Sequence, residues 1–133
     1  MRKRGHPFSI GSRLESVRHA FRGVRDMLAT ERNAWVHLVA TVLVLDFAWW
    51  LEIDRIEMAL IIIVIVIVWA AEAFNTVLEI MADLVVGQRY SRLVKRAKDI
   101  SAAAVLIAAL GAAGVGLVIL GPPLYHRLFP LFA

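Results

Sequence analysis

The chain has 133 residues, 60% of them hydrophobic, and a formal charge of +4 from 15 Lys and Arg against 11 Asp and Glu. Its mean hydropathy is +0.71, whereas soluble domains hold about 45–50% apolar residues, so the chain reads as one membrane domain and a soluble fold is excluded. With no cysteine there is no disulfide framework, no thiolate-held metal and no thiol nucleophile.

In chain order, Arg2, Lys3 and Arg4 resemble the basic start of a signal peptide, but no apolar stretch follows them, so none is expected. Ser12 is expected to cap a helix over 12–29, with Glu15 completing a capping box. Leu14, Val17, Phe21, Val24 and Leu28 recur at helical spacing and form one apolar stripe, while Arg13, Arg18, Arg22 and Arg25 occupy the remaining surface. A basic amphipathic helix beside a membrane span reads as an interfacial helix on an anionic leaflet. The membrane accounts for these arginines without nucleic acid as a partner.

Three membrane spans follow, at 35–51, 56–85 and 100–120. About 20 residues cross a 30 Å hydrocarbon core. The first span is slightly short and contains Asp46, read as a snorkelling or locally paired carboxylate one turn from the interfacial Trp49 and Trp50. The second is overlong, so its polar end is expected to emerge at one interface. The third carries no charge, and its Gly111, Gly114 and Gly116 suit close helix packing. Pro122 and Pro123 are expected to end it, leaving a tail over 124–133 at the interface.

The basic residues orient the spans. Eight of the fifteen Lys and Arg precede the first span and five, Arg89, Arg92, Lys95, Arg96 and Lys98, lie between the second and third. Arg55 alone lies in the first loop, and Arg127 alone near the C-terminus. The N-terminus and second loop are therefore expected in the cytoplasm, and the first loop and C-terminus outside.

The segment EAFNTVLEIMAD carries the chemistry. Glu72, Asn75, Glu79 and Asp83 are spaced +3, +4 and +4, which puts all four on one helix face. Ionisable groups in a membrane helix are costly and mark a functional site by default. Glu31, Arg32, Asn33 and His37 open the first span, and Lys98 and Asp99 open the third, so three helices bring acidic, basic and amide groups to one depth. Carboxylates for Mg²⁺ with cations for phosphate oxygens are what phosphoryl transfer needs. Glu72, two turns deeper than Glu79 or about 10 Å along the helix, could take the proton of a lipid hydroxyl. There is no Gly-rich phosphate loop, so a nucleotide site would be built from helix side chains. A channel would spread carboxylates through the bilayer depth, whereas these gather at one side. A non-enzymatic scaffold would be free to lose Glu31, Glu72 or Glu79, and all three are present.

Three stretches resemble the small bacterial integral-membrane lipid kinases, the diacylglycerol kinase and undecaprenol kinase family. They are Arg22-Gly23 with Thr30-Glu31-Arg32-Asn33 and His37; Glu72-Ala73-Phe74-Asn75-Thr76 with Glu79 and Asp83; and Arg96-Ala97-Lys98-Asp99 with Ser101. The resemblance covers residues 12 to 120. It implies an all-α membrane protein, an N-terminal surface helix plus three transmembrane helices in one domain over 1–133, assembled as a homotrimer with sites shared between subunits in the bacterial inner membrane. It further implies ATP- and Mg²⁺-dependent phosphorylation of a membrane lipid alcohol. Glu72 matches the general base; Glu31 and Glu79 match the Mg²⁺ ligands; Asn75 matches a residue supporting the phosphate and the base. Arg13, His19, Arg89, Tyr90, Ser91, Lys98 and Asp99 fall on the nucleotide contacts. Glu31, Asn75 and Glu79 also face the nucleotide, and Glu72 and Asn75 the lipid. His37 is expected to be structural or interfacial. The Thr-Glu-Arg-Asn and Asn75-Thr76 arrangements look more like the undecaprenol branch, with diacylglycerol as the alternative.

Overall fold

The computed structural model of the protein describes residues 10–87 and 89–130. The basic triplet Arg2, Lys3, Arg4, residue Gln88 and the tail residues 131–133 lie outside the described residues. The described chain is all helix and turn: α1 spans Ile10–Thr30, α2 Arg32–Trp50, α3 Arg55–Val86 and α4 Arg92–Leu128. Helices α2, α3 and α4 are long and apolar enough to cross a membrane. At 1.5 Å per residue α3 is about 48 Å long, well beyond a 30 Å hydrocarbon core.

Each boundary has a local cause. A single extended residue, Glu31, separates α1 from α2, and the Trp35 indole N–H braces the joint by donating to the Leu28 carbonyl at 2.8 Å. Asp54 starts α3 with a complete capping box. Its carboxylate accepts from the Ile56 and Glu57 amides, and Glu57 accepts from the Asp54 amide. Gly87 ends α3 at φ +54 and ψ −122, a combination that favours glycine. Ser91 caps α4, its hydroxyl accepting from the Val94 amide.

Three expected boundaries are corrected. Helix α1 begins at Ile10, so Ser12 lies within the first turn and is no N-cap; its carbonyl accepts from the Ser16 hydroxyl in the helix. Lys98 and Asp99 do not open the third span's helix, because Ser91 caps α4 two turns earlier. Pro122 and Pro123 do not end α4, which continues to Leu128. Two adjacent prolines remove only two amide donors, and Gly121 before them has no Cβ to crowd the first ring. Arg127 then anchors this last turn, donating to the Trp50 carbonyl at 2.7 Å and stacking over the Trp50 ring.

Helices α3 and α4 form the closely packed pair, and α2 lies more loosely across them. Along α3 the buried positions are Ile61, Val68, Glu72, Asn75 and Thr76, one face that passes from apolar to polar. Opposite them α4 buries Ser101, Val105 and Ile119. The Glu72–Asn75 part of the polar face therefore points inward, Glu79 is half-buried and Asp83 is exposed at its end. Asp46 sits on the outer surface of α2, beside Phe47 and Trp50, with no ion pair among the described residues.

Candidate active site

The site lies where α2, α3 and α4 converge near the α1–α2 joint. Glu72 is its deepest group, 1% exposed, and neither carboxylate oxygen has a hydrogen-bond partner among the described residues. An ionisable side chain kept unsatisfied in a buried position costs several kcal/mol in general, so packing alone does not explain it. The His37 Nε2 faces it at 3.7 Å, within ion-pair range but too long for a hydrogen bond. Thr76, one turn along α3, turns its hydroxyl back to the Glu72 carbonyl at 3.0 Å and leaves the carboxylate alone.

One turn beyond Glu72 a hydrogen-bond relay crosses from α4 to α3. The Ser101 hydroxyl donates to Asn75 Oδ1 at 2.6 Å, and Asn75 Nδ2 donates to Glu79 Oε1 at 2.9 Å. The relay fixes which way the Asn75 amide lies and holds one oxygen of Glu79, leaving the other free. Sequence reading gave Ser101 no role of its own; the available signal was one hydroxyl in an otherwise apolar run of α4, three residues after Lys98.

The charged rim follows. Lys98 pairs directly with Asp83 across the α3–α4 interface, and Lys95 pairs with Asp99 within α4 at 2.7 Å. Glu31 is half-buried at the α2 N-cap position, yet its side chain makes no capping hydrogen bond. Its charge and that of Glu79 both act on Glu72. No group of three or more potential metal-ligating side chains forms among the described residues. That fits Mg²⁺, which commonly takes one or two carboxylates and completes its shell with phosphate oxygens and water. Glu31 and Glu79 each offer a free oxygen for such an ion.

The remaining expected contacts lie on α1 and in the α3–α4 connection. Ser91 caps α4, while Arg89 and Tyr90 are exposed in the α3–α4 connection. Arg13 and His19 are exposed on α1 and form no hydrogen bond or ion pair among the described residues. Along the opposite direction, away from the charged rim, a groove of about 540 Å³ runs between α2, α3 and α4. Its wall is apolar apart from His37 and Thr41, and it includes Phe47, Ile61, Gly116 and Leu124. The Thr41 hydroxyl is engaged, accepting from the Trp69 indole at 3.0 Å.

A small helical membrane protein with carboxylates, an amide and lysines gathered at one end of its spans is the class that the fold and site define. The chain belongs to the prokaryotic diacylglycerol kinase family, whose profile matches residues 18–120. Its relatives carry lipid-kinase names. It is 42% identical over 111 residues to a diacylglycerol kinase of Synechocystis sp., a match covering 84% of this chain and 63% of that one. It is 32% identical over 124 residues to the undecaprenol kinase of Bacillus subtilis, covering 93% of this chain and 100% of that one. To the diacylglycerol kinase of Escherichia coli it is 33% identical over 95 residues, 71% of this chain and 77% of that one.

Proposed function

We propose that the protein is a lipid kinase that transfers the γ-phosphoryl group of ATP to the hydroxyl of a membrane lipid alcohol, undecaprenol in preference to diacylglycerol. The observation that carries this reading is the depth order: a buried carboxylate without a hydrogen-bond partner among the described residues, Glu72, lies between an apolar groove and a rim of carboxylates and lysines. A lipid tail suits the groove and a nucleotide suits the rim, so their reacting ends meet at Glu72.

In this mechanism Glu72 accepts the proton of the lipid hydroxyl as its oxygen bonds to the γ-phosphorus. The bond from that phosphorus to the bridging oxygen breaks, and ADP leaves. Glu31 and Glu79 are the residues that would hold Mg²⁺, which when bound neutralises the phosphate charge. Asn75 holds Glu79 in place and Lys98 offers its ammonium to phosphate, exchanging Asp83 for it. Asp99, Arg89, Tyr90 and Ser91 surround the nucleotide from the α4 side, and Arg13 and His19 reach it from α1. Both are exposed on α1, which suits completion of a neighbouring copy's site in the homotrimer that the family resemblance implies.

The setting follows from the same residues. The α1 stripe is exposed, with Leu14 at 71% and Phe21 at 73%, which suits an interfacial helix lying on the membrane. The basic residue distribution directs the nucleotide end to the cytoplasm, where ATP is available, and the protein to the bacterial inner membrane.

The Thr30-Glu31-Arg32-Asn33 and Asn75-Thr76 arrangements, with a match spanning the full length of an undecaprenol kinase, favour undecaprenol. The 42% identity to a protein named diacylglycerol kinase favours the second reading. ATP-dependent phosphate transfer by the purified protein in mixed micelles, with the two lipids separately and in competition, decides between them. Preferential labelling of undecaprenol is expected. Preference for diacylglycerol reverses the choice of lipid, and transfer to no lipid alcohol overturns the kinase reading.

A further inference from the structure

The groove and the proposed base do not touch directly. On α3 the groove's last wall residue is Val68, and Glu72 lies one turn beyond it. What spans the gap is His37, which belongs to the groove wall and also faces Glu72 Oε2 at 3.7 Å. Three ionisable groups neighbour Glu72: His37, Glu31 and Glu79. The two glutamates carry its own sign and repel it, and of these neighbours among the described residues His37 alone has an N–H to offer. The other polar residue of the groove wall, Thr41, already accepts from Trp69. The Glu72 oxygens have no hydrogen-bond partner among the described residues, which leaves His37 as the facing group able to orient this carboxylate.

Resting on the lipid-kinase reading, we infer that His37 is a positioning residue for Glu72: its Nε2 holds the carboxylate toward the end of the apolar groove, where a lipid hydroxyl arrives. His37 forms and breaks no bond in the transfer. The proton passes from the hydroxyl to Glu72, and His37 sets the direction from which that carboxylate receives it. A general base must lie within hydrogen-bond reach of its proton, and misplacement by about 1 Å costs about 100-fold in rate. A carboxylate repelled by two neighbours and held by one is therefore sensitive to the loss of that one.

The test compares full-length wild type, H37L and H37Q in mixed micelles. It measures kcat, the KM for lipid and for ATP, and the affinity for a non-hydrolysable ATP analogue. Glutamine keeps an N–H donor at a similar reach from the backbone, and leucine keeps only bulk. In H37L, kcat is expected to fall about 10- to 100-fold, with KM for ATP and analogue affinity within about twofold of wild type. H37Q is expected to recover much of the lost kcat. Three results overturn the assignment: an H37L as active as wild type, an H37Q no better than H37L, or loss of analogue binding in both variants, which marks His37 as part of the packing. Wild type that phosphorylates no lipid alcohol removes the lipid-kinase reading and this inference together, whereas active wild type with unimpaired H37L removes this inference alone.

Discussion

Glu72 occupies a position that stability alone would give to leucine. It is buried, it lacks a hydrogen-bond partner among the described residues, and two acidic neighbours act on it. Such a residue persists where function requires it. The Asn75 and Ser101 side chains beside it are arranged in the opposite way, each with a partner. Ser101 orients the Asn75 amide, and Asn75 presents one Glu79 oxygen in a fixed direction. Groups that hold a metal ligand in place commonly influence affinity about 10- to 100-fold. Ser101→Ala is therefore expected to raise the Mg²⁺ concentration for half-maximal transfer by about 10-fold while ATP still binds. An unchanged Mg²⁺ titration would remove Ser101 from the support of that ligand.

At the level of the helix, much of the site was readable. The +3, +4, +4 spacing puts Glu72, Asn75, Glu79 and Asp83 on one face by helix geometry alone, and Glu72 and Asn75 are buried on it. Residues that meet across helices were not readable. His37 meets Glu72 only because α2 crosses α3 at a particular place, and Ser101 meets Asn75 only through the register of α3 against α4. Single-helix periodicity carries neither quantity. Helix ends were likewise decided by local chemistry that spacing does not weigh: Ser91 set the start of α4, and the Arg127 anchor accompanies its continuation past two prolines. The Asp54 capping box is the clearest local determinant of α3, so Asp54→Ala is expected to cost about 1 kcal/mol of stability. Reversible unfolding in mixed detergent micelles measures it. A change below about 0.3 kcal/mol would mean that the first turn of α3 is held by the bundle and not by its cap.

For the whole molecule, the tight α3–α4 pair is the frame, α2 leans on it, and α1 leaves its arginines and His19 exposed. One chain alone thus supplies the base, the relay and the lysines but leaves Arg13 and His19 exposed. If neighbouring copies share sites, mixed oligomers of Arg13→Ala and Glu72→Gln chains will recover transfer that neither variant shows alone. No recovery on mixing would place each site within one subunit. Whatever the assembly, Glu72 is proposed to act in the chemical step and not in holding the nucleotide. The most direct measurement is single-turnover phosphate transfer to a lipid alcohol by Glu72→Gln, beside equilibrium binding of an ATP analogue with Mg²⁺. Transfer is expected to fall by about 100-fold or more while binding stays nearly unchanged. Equal loss of both, or transfer at the wild-type rate, would contradict it.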